Sequence, residues 1–124
     1  MRRVCLTSSV VAIISKAPGD MPELSDESHW SDVDYPEINA YEKSKTLAER
    51  AAWDFVDKLP EHEKFELSTV NPCLVFGPTL VKTDFSSGKI MNMFMQGQIP
   101  CGVPLMSFSL VDVRDVAQAH LNCL

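Results

Sequence analysis

A phenol and an ammonium stand four positions apart at Tyr41 and Lys45, in the segment Y-E-K-S-K. On a helix, four residues advance about 400° and roughly 6 Å, so both side chains leave the same face. An ammonium beside a phenol favours the phenolate, which lets the hydroxyl give a proton to a carbonyl oxygen or take one from an alcohol near neutral pH. The spacing alone arises by chance in roughly one chain in five of this length, so the pair by itself reads as a solvated helix contact. Two other features shift that balance. Ser9 ends the run R-V-C-L-T-S-S, where its hydroxyl could donate to the same substrate oxygen. The segment N-P-C-L-V-F-G-P, residues 71–78, closes a second strand through a bend at Pro72. Ligands of open parallel sheets bind outside such carboxyl ends.

The elements that must position these groups are legible in outline. Residues 3–6 form a short apolar run, a buried strand of the sort that helices cover on both faces. Residues 15–36 are polar and hold three prolines, so they read as a long functional loop, anchored by Trp30 and Tyr35. A helix follows, with Asn39 as N-cap, Glu42 completing a capping box and Pro60 as the stop. Its apolar face is expected to be Leu47, Ala48, Ala51, Ala52, Phe55 and Leu59. Residues 65–76 read as one strand with the Pro72 bend, 89–96 as a Met-rich helix, 106–111 as a strand and 112–124 as an amphipathic helix. This alternation predicts an α/β fold with a mostly parallel sheet. The chain opens on a strand and closes within a helix, which reads as part of a larger domain.

Composition narrows the partners. A net charge of −6 with dispersed Lys and Arg offers no footprint for nucleic acid. No apolar run reaches the length of a membrane span. Cys5, Cys73, Cys101 and Cys123 are scattered in sequence, which argues against a disulfide framework or a zinc site and for a reducing, cytoplasmic setting. His29, His62 and His120 lack metal-like spacing; His120, on the apolar side of the last helix, reads as a satisfied rim histidine and His62 as solvated. Asp112 and Asp115 read as an N-cap and a first-turn acid rather than a carboxylate pair. Met91, Met93 and Met95 read first as packing, with an adaptable pocket wall as the functional alternative.

Together, RRVCLTSSV, DESHWSD, YEKSKTLAERAAWDF, NPCLVFGP and LVDVRDVAQAHL resemble the extended short-chain dehydrogenase/reductases of the NAD-dependent epimerase/dehydratase superfamily. Within that family they look most like the dihydroflavonol reductase and cinnamoyl-CoA reductase branch. The resemblance implies a partial Rossmann-type, doubly wound parallel sheet. Residues 1–124 would be the C-terminal half of an NAD(P)-binding domain running into the start of the substrate-binding region. It implies an oxidoreductase that reduces a carbonyl or oxidises a secondary alcohol with NADP or NAD, on a small, mostly apolar substrate. Ser9, Tyr41 and Lys45 would be catalytic: Ser9 polarising the carbonyl, Tyr41 the acid/base, Lys45 holding the nicotinamide ribose. Cofactor contacts would come from Thr7, Ser8, Tyr41, Lys45, Pro72, Leu74, Val75 and Ser87, and no metal would take part. The glycine-rich turn that receives the pyrophosphate in this family is absent from the sequence, so the 124 residues alone are expected to be inactive. Y-E-K-S-K also lacks the aromatic and glycine pattern of cinnamoyl-CoA reductases. Two alternatives stand beside this reading: a nucleotide-sugar epimerase or dehydratase, or 3β-hydroxysteroid dehydrogenase, with the same triad, and a truncated, non-catalytic binding module.

Overall fold

The computed structural model describes residues 3–80, 86–98 and 107–124. Strand β1 (Arg3–Thr7) is followed by a single helical turn, α1 (Val11–Ile14), and the long helix α2 (Ala40–Lys58). Strands β2 (Glu66–Val70) and β3 (Leu74–Phe76) come next, then α3 (Ser86–Met95), β4 (Leu110–Asp112) and α4 (Val113–Cys123). β1 and β2 pair in parallel from Arg3↔Glu66 to Thr7↔Val70, and β3 and β4 pair in parallel from Leu74↔Leu110 to Phe76↔Asp112. Parallel pairs need long crossovers, and α2 and α3 lie in those crossovers.

The strand expected over 65–76 is two strands in two separate pairs. Pro72 has no N–H to give a ladder, and its carbonyl is taken by Val10 N at 3.1 Å, so the chain leaves one pair before entering the next. The strand expected over 106–111 is confined to Leu110–Asp112; residues 107–109 are not strand and Met106 lies outside the described residues. Helix α3 begins at Ser86, three residues ahead of the expected start, with the Ser87 hydroxyl donating to the Val75 carbonyl at 2.6 Å. Met91 turns with Ile90 and Phe94 onto Leu74, Phe76, Phe108 and Leu110, whereas Met95 is largely exposed.

Helix α2 starts where its capping box requires: Glu42 N donates to Asn39 Oδ1 at 3.0 Å and Asn39 N to Glu42 Oε2 at 3.3 Å. Its inward face is not the one that apolarity selects. Leu47 is 46% and Phe55 59% exposed, with Ala48 and Ala51 exposed beside them. The buried face carries Thr46 and Glu49 instead, with Trp53 and Val56 half-buried. Those polar groups are buried because each has partners: Thr46 Oγ1 donates to the Glu42 carbonyl at 2.9 Å, and Glu49 accepts from Trp53 Nε1 at 3.4 Å and Asn71 Nδ2 at 2.7 Å.

Asn71 ties three segments together. Besides Glu49 it donates to the Ser9 carbonyl at 3.2 Å, linking α2, the end of β2 and the turn after β1. The loop over residues 15–36 is held equally firmly. Buried Ser31 donates to the Val11 carbonyl at 2.6 Å and accepts from Ser15 N at 2.7 Å. Arg50 donates to the Ser31 carbonyl at 3.1 Å while its guanidinium lies 5.1 Å from the Trp30 ring centre, so Trp30 anchors the loop as expected. Tyr35 does so only locally, through Glu37 at 2.8 Å. Apolar packing is thin by comparison: among the described residues Ala12 is the one fully buried apolar side chain. The accessible surface of 9368 Å² compares with about 6,600 Å² for a compact monomer of this mass.

Two positions give direct tests of this framework. In Asn71→Ala the Glu49 carboxylate and the Ser9 carbonyl each lose a donor, and the chain should be destabilised by about 2–3 kcal/mol in urea unfolding. An unchanged midpoint would mean that the bridge carries no stability. Gly77 sits at φ 141°, with the place of a Cβ only 2.7 Å from Val113 Cγ1. Gly77→Ala should therefore cost about 1–3 kcal/mol by the same measurement. Acid should fray α4 selectively. Hydrogen bonds from the Arg114 side chain and backbone hold its Asp112 cap down to about 2 from the ordinary 3.8, so the cap stabilises above that value and is lost as pH falls through about 2. Far-ultraviolet circular dichroism across that range should record the loss of helix.

Candidate active site

Ser9 and Tyr41, far apart in sequence, line one cleft of about 550 Å³. Its remaining walls are Val10, Val11, Ile14, Cys73, Leu74 and the segment 107–109 with Phe108. Ser9 is held at the carboxyl end of β1 by the Asn71 bridge and by Val10 N on the Pro72 carbonyl. Its Oγ accepts only a long bond from Val11 N, 3.5 Å, which leaves the hydroxyl proton for the cleft. Tyr41 lies in the first turn of α2 and is 57% exposed, its ring forming part of the cleft wall. Lys45 follows one turn later, half-buried and beyond the residues that line the cleft.

The other sequence-predicted residues divide sharply. Leu74 lines the cleft, and its N–H is spent on the Ser109 carbonyl at 3.3 Å. Pro72 supports the cleft from behind through its carbonyl. Val75 and Ser87 are bonded to one another. Thr7 points the opposite way, its hydroxyl 2.6 Å from His120 Nε2, while His120 Nδ1 lies 2.8 Å from the Val116 carbonyl. With the Nδ1 proton on that carbonyl, Nε2 accepts from Thr7, so this rim histidine is satisfied on both sides. Ser8 Oγ is enclosed with no hydrogen-bond partner. The hydroxyls of Thr7, Ser8 and Ser87 thus do not reach the cleft that Ser9 and Tyr41 share.

Sequence reasoning missed the supports and most of the wall. Glu49 stands four residues after Lys45, so Tyr41, Lys45 and Glu49 recur at helical spacing, and Asn71 immediately precedes the Pro72 bend. Those placements were the available signals. Val10, Val11 and Ile14 were readable as an apolar run, but nothing local marks a helical turn over Val11–Ile14: its N-cap is Val10, with no capping side chain. Chemically the cleft sets the hydroxyl residues Ser9, Tyr41, Ser107 and Ser109 among apolar side chains, and among its described lining residues none is Lys or Arg. Such a surface suits a flat or small apolar molecule with one polar oxygen directed at Ser9 and Tyr41. Among the described residues no cluster of His, Cys, Asp and Glu could hold a metal ion, and no helix is long and apolar enough to cross a membrane.

No protein-family model matches the chain. Curated relatives do. The NADPH-dependent methylglyoxal reductase GRE2 of Saccharomyces cerevisiae is 36% identical over 132 residues, covering 98% of this chain and 39% of that protein. A cinnamoyl-CoA reductase of Medicago truncatula is 37% identical over 125 residues, covering 98% of this chain and 36% of that protein. Among solved structures, Gre2 of Candida albicans in complex with NADPH superposes with a TM-score of 0.70 at 35% identity, over 98% of this chain and 39% of that one. The chain thus spans about two fifths of the length of the curated relatives it matches. With its parallel α/β pairs, and with nearly all of its length aligned to reductases of one kind, the chain belongs to the extended short-chain dehydrogenase/reductases, in the branch of the dihydroflavonol and cinnamoyl-CoA reductases.

Proposed function

We propose that this chain carries the proton-transfer side of an NADPH-dependent carbonyl reductase site. The carrying observation is the convergence of Ser9 and Tyr41 on one apolar-walled cleft. In this reading residues 1–124 are the later half of a Rossmann-type NAD(P)-binding domain with the start of the substrate region, acting in the cytoplasm on a small, mostly apolar aldehyde or ketone.

The cleft fits the cofactor on its own chemistry: a flat ring can lie against Val10, Val11, Ile14 and Leu74 while the hydroxyls of Ser9 and Tyr41 remain available to a substrate oxygen. Reduced nicotinamide, when bound, supplies the hydride that the carbonyl carbon accepts. Ser9 donates a hydrogen bond to the carbonyl oxygen and draws electron density from the carbon. Tyr41 gives its phenolic proton to the same oxygen as charge develops there. Lys45, one turn further along α2, would hold the nicotinamide ribose when the cofactor is bound. Leu74, held in the cleft wall by the Pro72 bend before it and Val75 after it, would meet the ring and set which of its faces the substrate approaches. Thr7, Ser8 and Ser87 act at one remove, holding β1 and β3 in place. That none of the described residues lining the cleft is Lys or Arg favours this reading over a nucleotide-sugar epimerase or dehydratase, whose diphosphate needs cations.

Loss of NADPH absorbance with short apolar aldehydes and ketones provides the test. It is to be run on the 124-residue chain and on the same residues in frame with a glycine-rich nucleotide-binding half. Turnover is expected where the glycine-rich turn is supplied. There Tyr41→Phe should lower kcat by about 10²–10⁴-fold, the range for a positioned acid or base. Near-normal turnover in that variant would remove Tyr41 from the reaction and overturn the proposal.

A further inference from the structure

Beside the cleft lies a second space of about 270 Å³, built by β3, β4 and α3. Alternation along β3 puts Leu74 and Phe76 on one side, and the parallel register sets Leu110 beside Leu74, so these three form its floor. Ile90, Met91 and Phe94 lie within about one turn of α3 and form its wall. The wall is pinned to the floor where the Ser87 hydroxyl meets the Val75 carbonyl at 2.6 Å. Every described lining residue is apolar, so the space offers a guest no hydrogen-bonding side chain. Met91, Phe94, Phe108 and Leu110 all keep large exposed surfaces, and all four line this one space instead of being scattered. Exposed apolar side chains gathered in this way mark a binding groove.

Leu74 and Phe108 join this space to the candidate active cleft, because each lines both. Leu74 is held in β3, with its N–H on the Ser109 carbonyl at 3.3 Å. Phe108 precedes β4 outside any strand, and its side chain is 55% exposed, so its ring is the freer part of the shared wall. We propose that the second space is a tail subsite of the cleft: it takes the unbranched alkyl chain of a ketone whose oxygen faces Ser9 and Tyr41, and Phe108 governs the passage. The proposal rests on the reductase reading for the position of that oxygen. An alkyl chain asks for no hydrogen bond, and its bends can be met by the Met91 thioether, which changes shape at little cost. Since Leu74 belongs to both walls, a tail that leaves the cleft along it enters the second space directly. A sugar or a phosphate would lose its hydration there without gaining a partner.

The test is a titration of the purified chain followed by NMR, with isotope-labelled methionine methyls and backbone amides and the methyl ketones from butanone to nonanone as probes. The Val11 amide reports the cleft and the Met91 methyl the second space, with Met21 and Met95, which line neither, as controls. Val11 should respond to every ketone, and Met91 only to those with longer tails. Affinity should rise about fourfold per added methylene, the ~0.8 kcal/mol of burying one CH₂, and level off once the space is full. Leu110→Trp fills the floor and should abolish that rise while leaving butanone binding unchanged. Phe108→Ala should admit branched tails that the parent chain refuses. The wild-type series is decisive even if a variant does not fold. A Met91 methyl that no ketone moves, or an affinity indifferent to tail length, would overturn the proposal and leave the reductase reading standing. So would a Met91 signal that follows protein concentration instead of ketone, since a second copy would then cover the space. Absence of turnover in the form carrying the glycine-rich half, with the Met91 response intact, would instead remove the reductase reading while the ketone-binding space stood.

Discussion

One side-chain amide holds the site in register. Asn71 stands between the end of β2 and the Pro72 bend, and its two N–H bonds go to the Ser9 carbonyl and the Glu49 carboxylate. Only a group with two donors on one nitrogen can satisfy two acceptors from different elements in that place, and only an acceptor-only carboxylate can take both Asn71 and the Trp53 indole without presenting a donor to a donor. Through this junction the turn carrying Ser9 is referred to α2, the helix that carries Tyr41 and Lys45. The two halves of the candidate triad are thus aligned by a buried polar contact rather than by touching one another.

That arrangement explains the unusual balance of the interior. The inward side of α2 is given to Thr46 and Glu49, each with its partners, while the outward stripe of Leu47, Ala48, Ala51 and Phe55 is left open. Buried polar groups are tolerated when every member is bonded, and they then specify one geometry more sharply than apolar contacts do. Among the described residues this junction stands beside a small apolar core, Ala12 being its one fully buried apolar side chain. Specificity of placement, rather than bulk burial, is what this segment supplies to the architecture.

Much of the fold was readable because its signals are local. The capping box of Asn39 and Glu42 lies within one turn, Pro60 stops the helix, and Asp112 with Arg114 caps α4. Ser9, Tyr41 and the Pro72 bend were marked by residue type and position along the elements. The inward face of α2 was not readable, since hydrophobicity points to Leu47 and Phe55, while the deciding partner, Asn71, lies 22 residues beyond Glu49. Likewise the split of residues 65–76 into β2 and β3 depends on which strand each half finds, and pairing is a property of distant segments. Thr7 and Ser8 illustrate the same limit: strand alternation alone cannot say which face meets α4 and which meets the interior.

The parallel pairing of β1 with β2 also sets a schedule. Arg3 meets Glu66 across 63 positions, and the Ser9 carbonyl waits 62 positions for Asn71. At synthesis rates of 5–20 residues per second, about 3–13 s pass between the emergence of β1 and the arrival of the strand that completes it. During that interval the β1–β2 ladder cannot form, and non-local pairing of this kind is intrinsically slow to find. The polar loop and the self-capped α2, which can order locally, occupy that interval. Helix α2 can therefore order before the strand pair that it connects is able to form.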